Sequence, residues 1–583
     1  MGNTFKKRGQ KFVRKFSRVT AKASEEGKEH IKENFFGRLQ NVGNIKLLIL
    51  EWSLLIVALV LLAVAQAFWF ADSYSENVFS NGGSYIEATL GDVNSMNPLF
   101  ATTDSEKVLS RLMFGTLVTI DYSGHPNVGL ASSVTPSEDG KTWTVKLRDG
   151  LTWSDGEPIT NDDVIYTVEL IRNPRVDSVY DTNLANVKVS VNENGEIVFD
   201  LPSAYADFIS ALNIPILPKH ILAESDPETL IENTFSTAPV TSGAFTFNAQ
   251  QTTSRTDETV VYLSANPDYY KGGPLLNSFA IHTYDDKEAI ISALNAGTVT
   301  ATAELTEADR DSVNTGQFLE KNSSLSSGTF IFFNTKNSAV KDVAMRSAIR
   351  QGLDIAKLRE LAPDTVALNY PILTSQIKLS KYPEIPGYDF DAAKAKIAEL
   401  MGEEPIPLSI ATVNSSFLPA VANELGEELK NLGFNVNVSV YEEDQEFMTN
   451  SISMRGYDIL VYEVELGSDP DLLPYYHSSQ ASSKGLNLSN YRSALVDDLL
   501  LGARDTLDEE LRVKKYETFL EYWVSDVPAI GLYQPNLTYY YNRNTQTFSN
   551  DTKLVTALDR FSDVTDWAVV KVTKNKTPSK QIL

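Results

Sequence analysis

Acidic side chains are the main candidates for binding chemistry in this sequence, and three of them lie close together in one short stretch. Glu463 and Glu465 are two positions apart, so in a strand their carboxylates lie on the same face. Asp469 follows them in a turn that reads Ser-Asp-Pro-Asp. A carboxylate withdrawn from water binds a cation such as an ammonium group through charge-assisted hydrogen bonds. The residues by themselves leave two interpretations of Glu463 and Glu465 open, contact with a cation and exposure to solvent.

The motifs that mark common enzyme classes are absent from the sequence. It has no Gly-x-Ser-x-Gly elbow, no His-Glu-x-x-His helix, no phosphate-binding loop and no dinucleotide-binding glycine pattern. It has no cysteine, and the histidines beyond the first seventy residues are His125, His220, His282 and His477. We expect no enzymatic activity, no cofactor and no metal ion. A glycosidase or peptidase that uses a carboxylate pair is the enzymatic alternative.

Charge is distributed unevenly along the 583 residues. The net charge is -25, yet residues 1–46 contain twelve Lys or Arg against four Glu and carry +8. Basic tails of this kind bind anionic lipid or nucleic acid. Aromatic residues are sparse among the basic ones, so we expect no nucleic-acid partner and interpret residues 1–46 as a basic cytoplasmic tail.

An apolar run follows the basic tail. Residues 52–70 form nineteen positions without a formal charge, and as a helix they would extend roughly 28 Å, about the thickness of the hydrocarbon core. This length predicts a single-pass anchor over residues 47–70 in the cell membrane. The positive-inside rule then predicts a cytoplasmic N-terminus, with the rest of the protein outside the cell. A cleaved secretory signal is the alternative, because Ala63, Ala65 and Ala67 satisfy the small-x-small cleavage pattern. Residues 71–83 are polar and are interpreted as a linker.

The sequence indicates secondary structure most clearly between residues 141 and 174. The alternation of Trp143, Val145 and Leu147 with polar residues predicts a half-buried strand. A turn pair follows at 149–150, Leu151 and Trp153 resume the alternation, and the segment predicts a hairpin closed by the turn at 155–156. Thr160 then caps a predicted helix that ends before Pro174.

This strand, turn and helix resemble the signature segment of the family 5 extracellular solute-binding proteins, the peptide and nickel receptors of ABC importers. Similar segments recur at 217–222, 266–273, 469–471 and 477–480, so the resemblance covers residues 83–572. The positions that carry the signature are Leu147, Arg148, Gly150, Trp153, Asp155, Gly156, Pro158, Thr160, Asp163 and Val164.

The resemblance implies an α/β fold in which two lobes close like a clamshell, as in type II periplasmic binding proteins with the extra subdomain of peptide binders. One N-terminal transmembrane helix would precede this fold. The implied division has lobe I at 84–117, 241–336 and 535–572, an inserted subdomain on the lobe I side at 118–240, lobe II at 337–534, and a C-terminal tail at 573–583.

The resemblance also implies which residues approach the ligand. In related peptide binders a Trp and an Asp ahead of the Asp-Pro-Asp turn hold the peptide, and the Asp pairs with its amino terminus. Those two positions are Glu463 and Leu466 here, so the anchor differs in kind, although Glu465 is one position away. The implied ligand-binding candidates are Thr102, Asp104, Phe332, Glu463, Glu465, Asp469 and Tyr533.

The function implied by the resemblance is capture of peptides outside the cytoplasm and their delivery to the permease and ATPase subunits of an ABC importer. We expect the protein to be a monomer. A nickel chelate, a sugar or another small solute is the alternative ligand in the same fold. A clamshell receptor or regulatory module without import is the alternative role.

Overall fold

A computed structural model describes residues 46–180, 184, 186–253, 258–402, 404–442 and 447–575. The basic tail predicted over 1–46 lies outside these residues except for Lys46, and so does the C-terminal tail from residue 576 onward. The chain divides into two compact units, the first made of residues up to 78 together with those from 572, and the second of residues 79–571.

The described chain contains both α-helices and strands, with the following bounds. The α-helices are α1 Lys46–Tyr74, α2 Asp104–Met113, α3 Asn161–Ile171, α4 Phe208–Ala211, α5 Lys219–Leu222, α6 Lys287–Ala296, α7 Val343–Gly352, α8 Ile355–Glu360, α9 Phe390–Met401, α10 Leu418–Leu432, α11 Leu473–Tyr476, α12 Ala494–Arg504 and α13 Glu509–Asp526. The strands are β1 Ser75–Ser80, β2 Ser84–Leu90, β3 Val118–Ile120, β4 Pro126–Val128, β5 Ala131–Pro136, β6 Thr142–Leu147, β7 Lys188–Val191, β8 Ile197–Asp200, β9 Phe245–Thr252, β10 Thr259–Ala265, β11 Ser278–Tyr284, β12 Ala301–Thr302, β13 Phe318–Ser324, β14 Ser327–Phe333, β15 Val366–Ala367, β16 Pro407–Val413, β17 Asn435–Tyr441, β18 Ile459–Glu465, β19 Ala529–Gln534, β20 Asn536–Asn542 and β21 Val570–Asn575.

The N-terminal helix α1 is 29 residues long. Strands β1 and β21 form a two-stranded sheet. Over the part of the chain that the structure describes, no helix meets the combined length and hydropathy required to cross a membrane. The anchor predicted over residues 47–70 stays a prediction.

The second unit contains two lobes, each built on its own sheet. The lobe I sheet has the strand order β13-β20-β12-β2-β11-β10-β9, with β2 parallel to both β11 and β12. The lobe II sheet has the order β15-β19-β14-β18-β16-β17, with β16 parallel to β17 and β18. Helices pack against both sheets, which is the layered arrangement expected of an α/β fold. The two-lobed fold predicted from the sequence is confirmed.

The chain crosses between the lobes at two described places that lie side by side. Leu325 and Ser326 connect β13 to β14, and Pro535 connects β19 to β20. The Leu325 amide donates to the Pro535 carbonyl at 3.0 Å, so the crossings are hydrogen-bonded to each other. This topology places strand β14 in the lobe II sheet, whereas the division based on the sequence began lobe II at residue 337.

The signature segment lies in a separate four-stranded sheet with the order β5-β6-β8-β7. Trp143 and Val145 are buried as the alternation predicts. Residues 151–153 do not pair with β6, which pairs with β5 and β8. They instead form an antiparallel bridge to residues 157–159 across the turn at 155–156, in which the Ile159 amide donates to the Leu151 carbonyl at 3.0 Å. The turn at Gly156 is present, since its amide donates to the Trp153 carbonyl at 3.0 Å.

The helix α3 begins at Thr160 in a way that differs in detail from the predicted cap. The Asp163 carboxylate accepts hydrogen bonds from the Thr160 amide at 2.7 Å and from its hydroxyl at 3.0 Å. The acceptor is therefore the aspartate in the first turn, and the threonine donates.

Candidate functional site

Three neighbouring strands of lobe II bring a carboxylate and two hydroxyl groups into one row. The register pairs Glu463 of β18 with Thr329 of β14, and Thr329 with Tyr533 of β19. Residues directly opposite each other on adjacent strands present their side chains on the same face. All three side chains line one cavity of about 40 Å³.

Residues of lobe I close the other side of this cavity. Thr306 and Glu307 come from the start of a 3-10 helix at Glu307–Ser312, and Asn536 comes from β20 just after the second crossing. Lobe II adds Thr365, the loop of residues 415–417 and Leu418 at the start of α10. The cavity, which we call the hinge cavity, therefore lies between the two lobes beside their crossings.

The polar groups of the hinge cavity are two carboxylates, several hydroxyls and one side-chain amide. The Glu307 Oε1 atom is buried and has no hydrogen-bond partner among the described residues, whereas the Thr329 hydroxyl lies beside the Tyr533 hydroxyl. Burial raises the pKa of Tyr533, the hydrogen bond with Thr329 opposes this rise and the Glu463 carboxylate adds to it, so the phenol stays protonated. None of the described lining residues is Lys or Arg. The hinge cavity is suited to a small cationic group such as an ammonium.

A larger cavity of about 300 Å³ lies at the same crossings and also joins both lobes. Residues 324–326 and Gln534 form its base, and Lys553 of lobe I and Ser468 of lobe II stand on its sides. Because Tyr533 and Gln534 are adjacent in β19, their side chains point to opposite faces of the strand. The two cavities thus flank the hinge strands.

Two of the predicted ligand-binding residues meet in the hinge cavity, namely Glu463 and Tyr533. Glu465 is exposed, and its carbonyl accepts a hydrogen bond from the Tyr475 hydroxyl. Asp469 binds the Arg512 guanidinium through both carboxylate oxygens at 2.6 and 2.7 Å. Neither Glu465 nor Asp469 lines the two cavities at the crossings.

The remaining candidates lie elsewhere. The Thr102 amide and hydroxyl donate to the Glu106 carboxylate at 2.8 and 3.3 Å at the start of α2. The Asp104 side chain is 60% exposed and lies 3.4 Å from Lys107 Nζ. Phe332 is 1% exposed in the lobe II core, because strand alternation directs it to the face opposite Thr329.

Sequence reasoning did not select Thr329, Glu307 or Asn536. Thr329 lies in the strongly apolar strand β14, where a single hydroxyl residue does not indicate a binding role. Glu307 is one acid among many in an acidic chain. Their common cavity depends on which strands pair and how the lobes meet, and no local pattern carries that information.

The described residues contain no group of three or more His, Asp or Glu side chains arranged to hold a metal ion. Two lobes joined by paired crossings, with polar cavities between them, define the binding-protein class in which a ligand is enclosed by closure of the lobes.

Comparison with known proteins gives the family. The sequence profile of the bacterial extracellular solute-binding proteins, family 5 Middle, matches residues 125–485. This match covers more than half of the chain, and the protein belongs to that family.

Individual relatives agree with this assignment. The oligopeptide-binding protein AppA of Bacillus subtilis is 26% identical over 478 residues, which cover 78% of this chain and 87% of AppA. The crystal structure of AppA in complex with a nonapeptide superposes with a TM-score of 0.69 at 23% identity and covers 85% of this chain and all of AppA. NikZ of Campylobacter jejuni in complex with Ni(L-His) has a TM-score of 0.69 at 22% identity and covers 83% of this chain and 99% of NikZ.

Proposed function

We propose that this protein captures peptides between its lobes and delivers them to the permease and ATPase subunits of an ABC importer. The observation that carries the proposal is the hinge cavity, which is lined by the Glu463 carboxylate and by the Glu307 Oε1 atom, buried without a hydrogen-bond partner among the described residues. A peptide amino terminus supplies the complementary ammonium group. The oligopeptide binder AppA shares the fold and most of the length of the chain.

The volume of the hinge cavity limits what it holds. At about 40 Å³ it has room for a group of the size of one water molecule or one ammonium, and not for a side chain with its backbone. The rest of a peptide therefore requires the space that opens when the lobes separate. This favours a role for the hinge cavity as the anchor of a chain end.

Native mass spectrometry of the full chain, purified in detergent without denaturation, tests the ligand class. We expect a series of masses that differ by amino-acid residues to leave the protein on unfolding. A single non-peptide mass, or a mass with the isotope pattern of nickel, would replace the peptide by another solute. Protein without any ligand that also fails to bind a tetrapeptide library would favour a regulatory module without import.

Glu463→Gln tests the anchor itself. If the carboxylate binds the amino terminus in the hinge cavity, the variant should bind a tetrapeptide about 10- to 100-fold more weakly, which corresponds to ~1.5–3 kcal/mol. The N-acetylated peptide, which lacks the ammonium, should bind wild type and variant alike. Isothermal titration calorimetry measures both.

Glu465→Gln is the matched control, because Glu465 has the same side chain two positions along β18 but lies exposed outside the hinge cavity. We expect its peptide affinity to equal that of the wild type. Loss of affinity in Glu465→Gln with none in Glu463→Gln would move the anchor to the strand end and contradict the assignment to the hinge cavity.

We also propose that residues 47–70 hold the protein in the cell membrane, with the N-terminus cytoplasmic and both lobes outside. The described large apolar side chains of α1 between Leu50 and Val64 are each 47–64% exposed, which is unfavourable in water. The basic residues ahead of them favour a cytoplasmic start. The protein should stay with the membranes after carbonate extraction. Protease added to intact protoplasts should remove the lobes. Release of the protein into the medium would instead indicate a cleaved signal.

A further inference from the structure

A separate cavity of about 540 Å³ lies entirely within lobe II, away from the two crossings. Its volume falls in the range typical of sites for small organic ligands. We call it the lobe II cavity. It is lined by residues of α7, α8, α13, β19 and the irregular segment ahead of α9, including Arg350, Arg359, Tyr370, Tyr382, Tyr388 and Trp523.

Three arginines of this part of lobe II have no carboxylate within ion-pair distance among the described residues, and two of them are satisfied by other acceptors. Arg346 is buried and donates to the carbonyls of residues 340, 341, 526 and 527. Arg359 donates to three carbonyls and to the Asn369 side chain at 2.6–3.3 Å. Guanidinium groups whose donors are already hydrogen-bonded to the protein stabilise the fold and are not available to a ligand.

Arg350 differs from these two arginines. It makes one described hydrogen bond, from Nη1 to the Val524 carbonyl at 2.5 Å, and its Nε atom is buried without a partner. Burial also lowers the pKa of its guanidinium, as expected for a cation that lacks an anion. A partly buried cation with unused donors is costly unless an anion binds there.

Aromatic side chains form a wall of the lobe II cavity. The Tyr370 and Tyr382 rings lie 5.0 Å apart at 36°, and the Tyr370 hydroxyl donates to the Pro383 carbonyl at 2.6 Å, which fixes the wall. Tyr388 is 58% exposed and stands at the mouth. Flat rings held in this way stack against a planar ligand.

Two carboxylates also line the cavity and narrow the choice of anion. The Asp354 carboxylate accepts from the Lys357 amide at the start of α8, so it is already engaged, and Glu384 is exposed. Their negative charge disfavours a doubly charged group such as phosphate. A single carboxylate directed at Arg350 avoids most of this repulsion.

We propose that the lobe II cavity binds a small organic acid, with its carboxylate on Arg350 and its planar ring against the tyrosines. This site is independent of the hinge cavity, because the two share no lining residue. Two ligands would then occupy one protein.

The test uses the full chain in detergent with two probes, 4-hydroxyphenylacetate and its uncharged amide, 4-hydroxyphenylacetamide. We expect the acid to bind at least about tenfold more tightly than the amide by calorimetry, and Arg350→Gln to remove this difference. Arg492→Gln, an exposed arginine elsewhere in lobe II, should leave it unchanged. Equal affinity for the two probes, or no binding of either at 10 mM, would overturn the proposal.

Tyr388→Ala is a second variant, which tests the site even if Arg350→Gln does not fold. Tyr388 is exposed, so folding should be unaffected, whereas both probes should bind about three- to tenfold more weakly. Unchanged affinity would place the ring elsewhere and contradict the site. Peptide affinity should stay constant in both variants, which separates this result from the proposed peptide function.

Discussion

At the scale of single residues, Glu304 shows how burial changes an ordinary acid. It follows β12, an inner strand of the lobe I sheet, and the carboxylates of Asp104 and the buried Glu87 act on it. Burial first, and then the Asp104 carboxylate, raise the pKa of Glu304 to about 8. In the folded protein this carboxyl holds its proton at pH values where the unfolded chain has released it.

The consequence is a loss of stability with increasing pH. The folded state binds more protons than the unfolded state between about pH 4.5 and 8, so the free energy of unfolding falls across that window. Glu304→Gln, which cannot ionise, should reduce the fall by roughly 2–4 kcal/mol. Thermal melts from pH 5 to 8.5 measure the effect.

Glu427→Gln is the control for this prediction, because Glu427 is 64% exposed on α10. Its melting profile should follow the wild type at every pH. A Glu304→Gln profile that also follows the wild type would show that Glu304 is ionised in the folded protein.

At the scale of elements, the turn in the signature segment depends on one glycine. Gly156 has a φ of +93°, a region that side chains with a Cβ avoid. No atom lies within 4 Å of the position that a Cβ would occupy, so the cost of a substitution there comes from the backbone and not from a clash.

Gly156→Ala should therefore destabilise the protein by about 1–2 kcal/mol. Gly387→Ala is the matched control, since Gly387 has equal space around it but no positive φ. Chemical denaturation followed by tryptophan fluorescence compares the two variants. Equal midpoints would mean that the turn relaxes to another conformation at little cost.

At the scale of the whole molecule, the lobes touch at a second place apart from the crossings. The Arg504 guanidinium of lobe II lies 4.2 Å over the Tyr205 ring of the lobe I side, and the Ala206 amide donates to the Arg504 carbonyl at 2.8 Å. The Ser210 and Ser468 hydroxyls are 3.0 Å apart across the same interface. These contacts hold the two lobes against each other.

Arg504→Ala removes the contact with the ring, and with it the 3.5 Å ion pair to Asp471 within lobe II, and keeps the backbone bond. A cation over an aromatic face contributes ~0.5–2 kcal/mol, so ligand should dissociate about 2- to 30-fold faster from the variant. Stopped-flow displacement of a fluorescent peptide measures the rate. Arg175→Ala is the control, because Arg175 forms an exposed ion pair with Glu228 within the lobe I side, and its dissociation rate should equal that of the wild type. An unchanged rate in Arg504→Ala would show that the contact between Arg504 and Tyr205 does not resist opening of the lobes.

The sequence by itself determined the family, the two-lobed α/β class, the strand at 142–147 and the helix at 161–171. These depend on local order, since turn pairs, caps and apolar periodicity act within a few residues of the chain. Glu463 was selected through the resemblance, because it stands at an anchor position of related peptide binders ahead of the Asp-Pro-Asp turn. That Glu463, and not the neighbouring Glu465, faces a cavity was not accessible to this reasoning.

Tertiary structure alone decided the row of Glu463, Thr329 and Tyr533, the assignment of β14 to lobe II and the lobe II cavity around Arg350. Each depends on strand register or on packing between residues far apart in the chain. A residue's type sets what it can bind, but whether its donors and acceptors are already satisfied is settled only by the neighbours that folding brings to it.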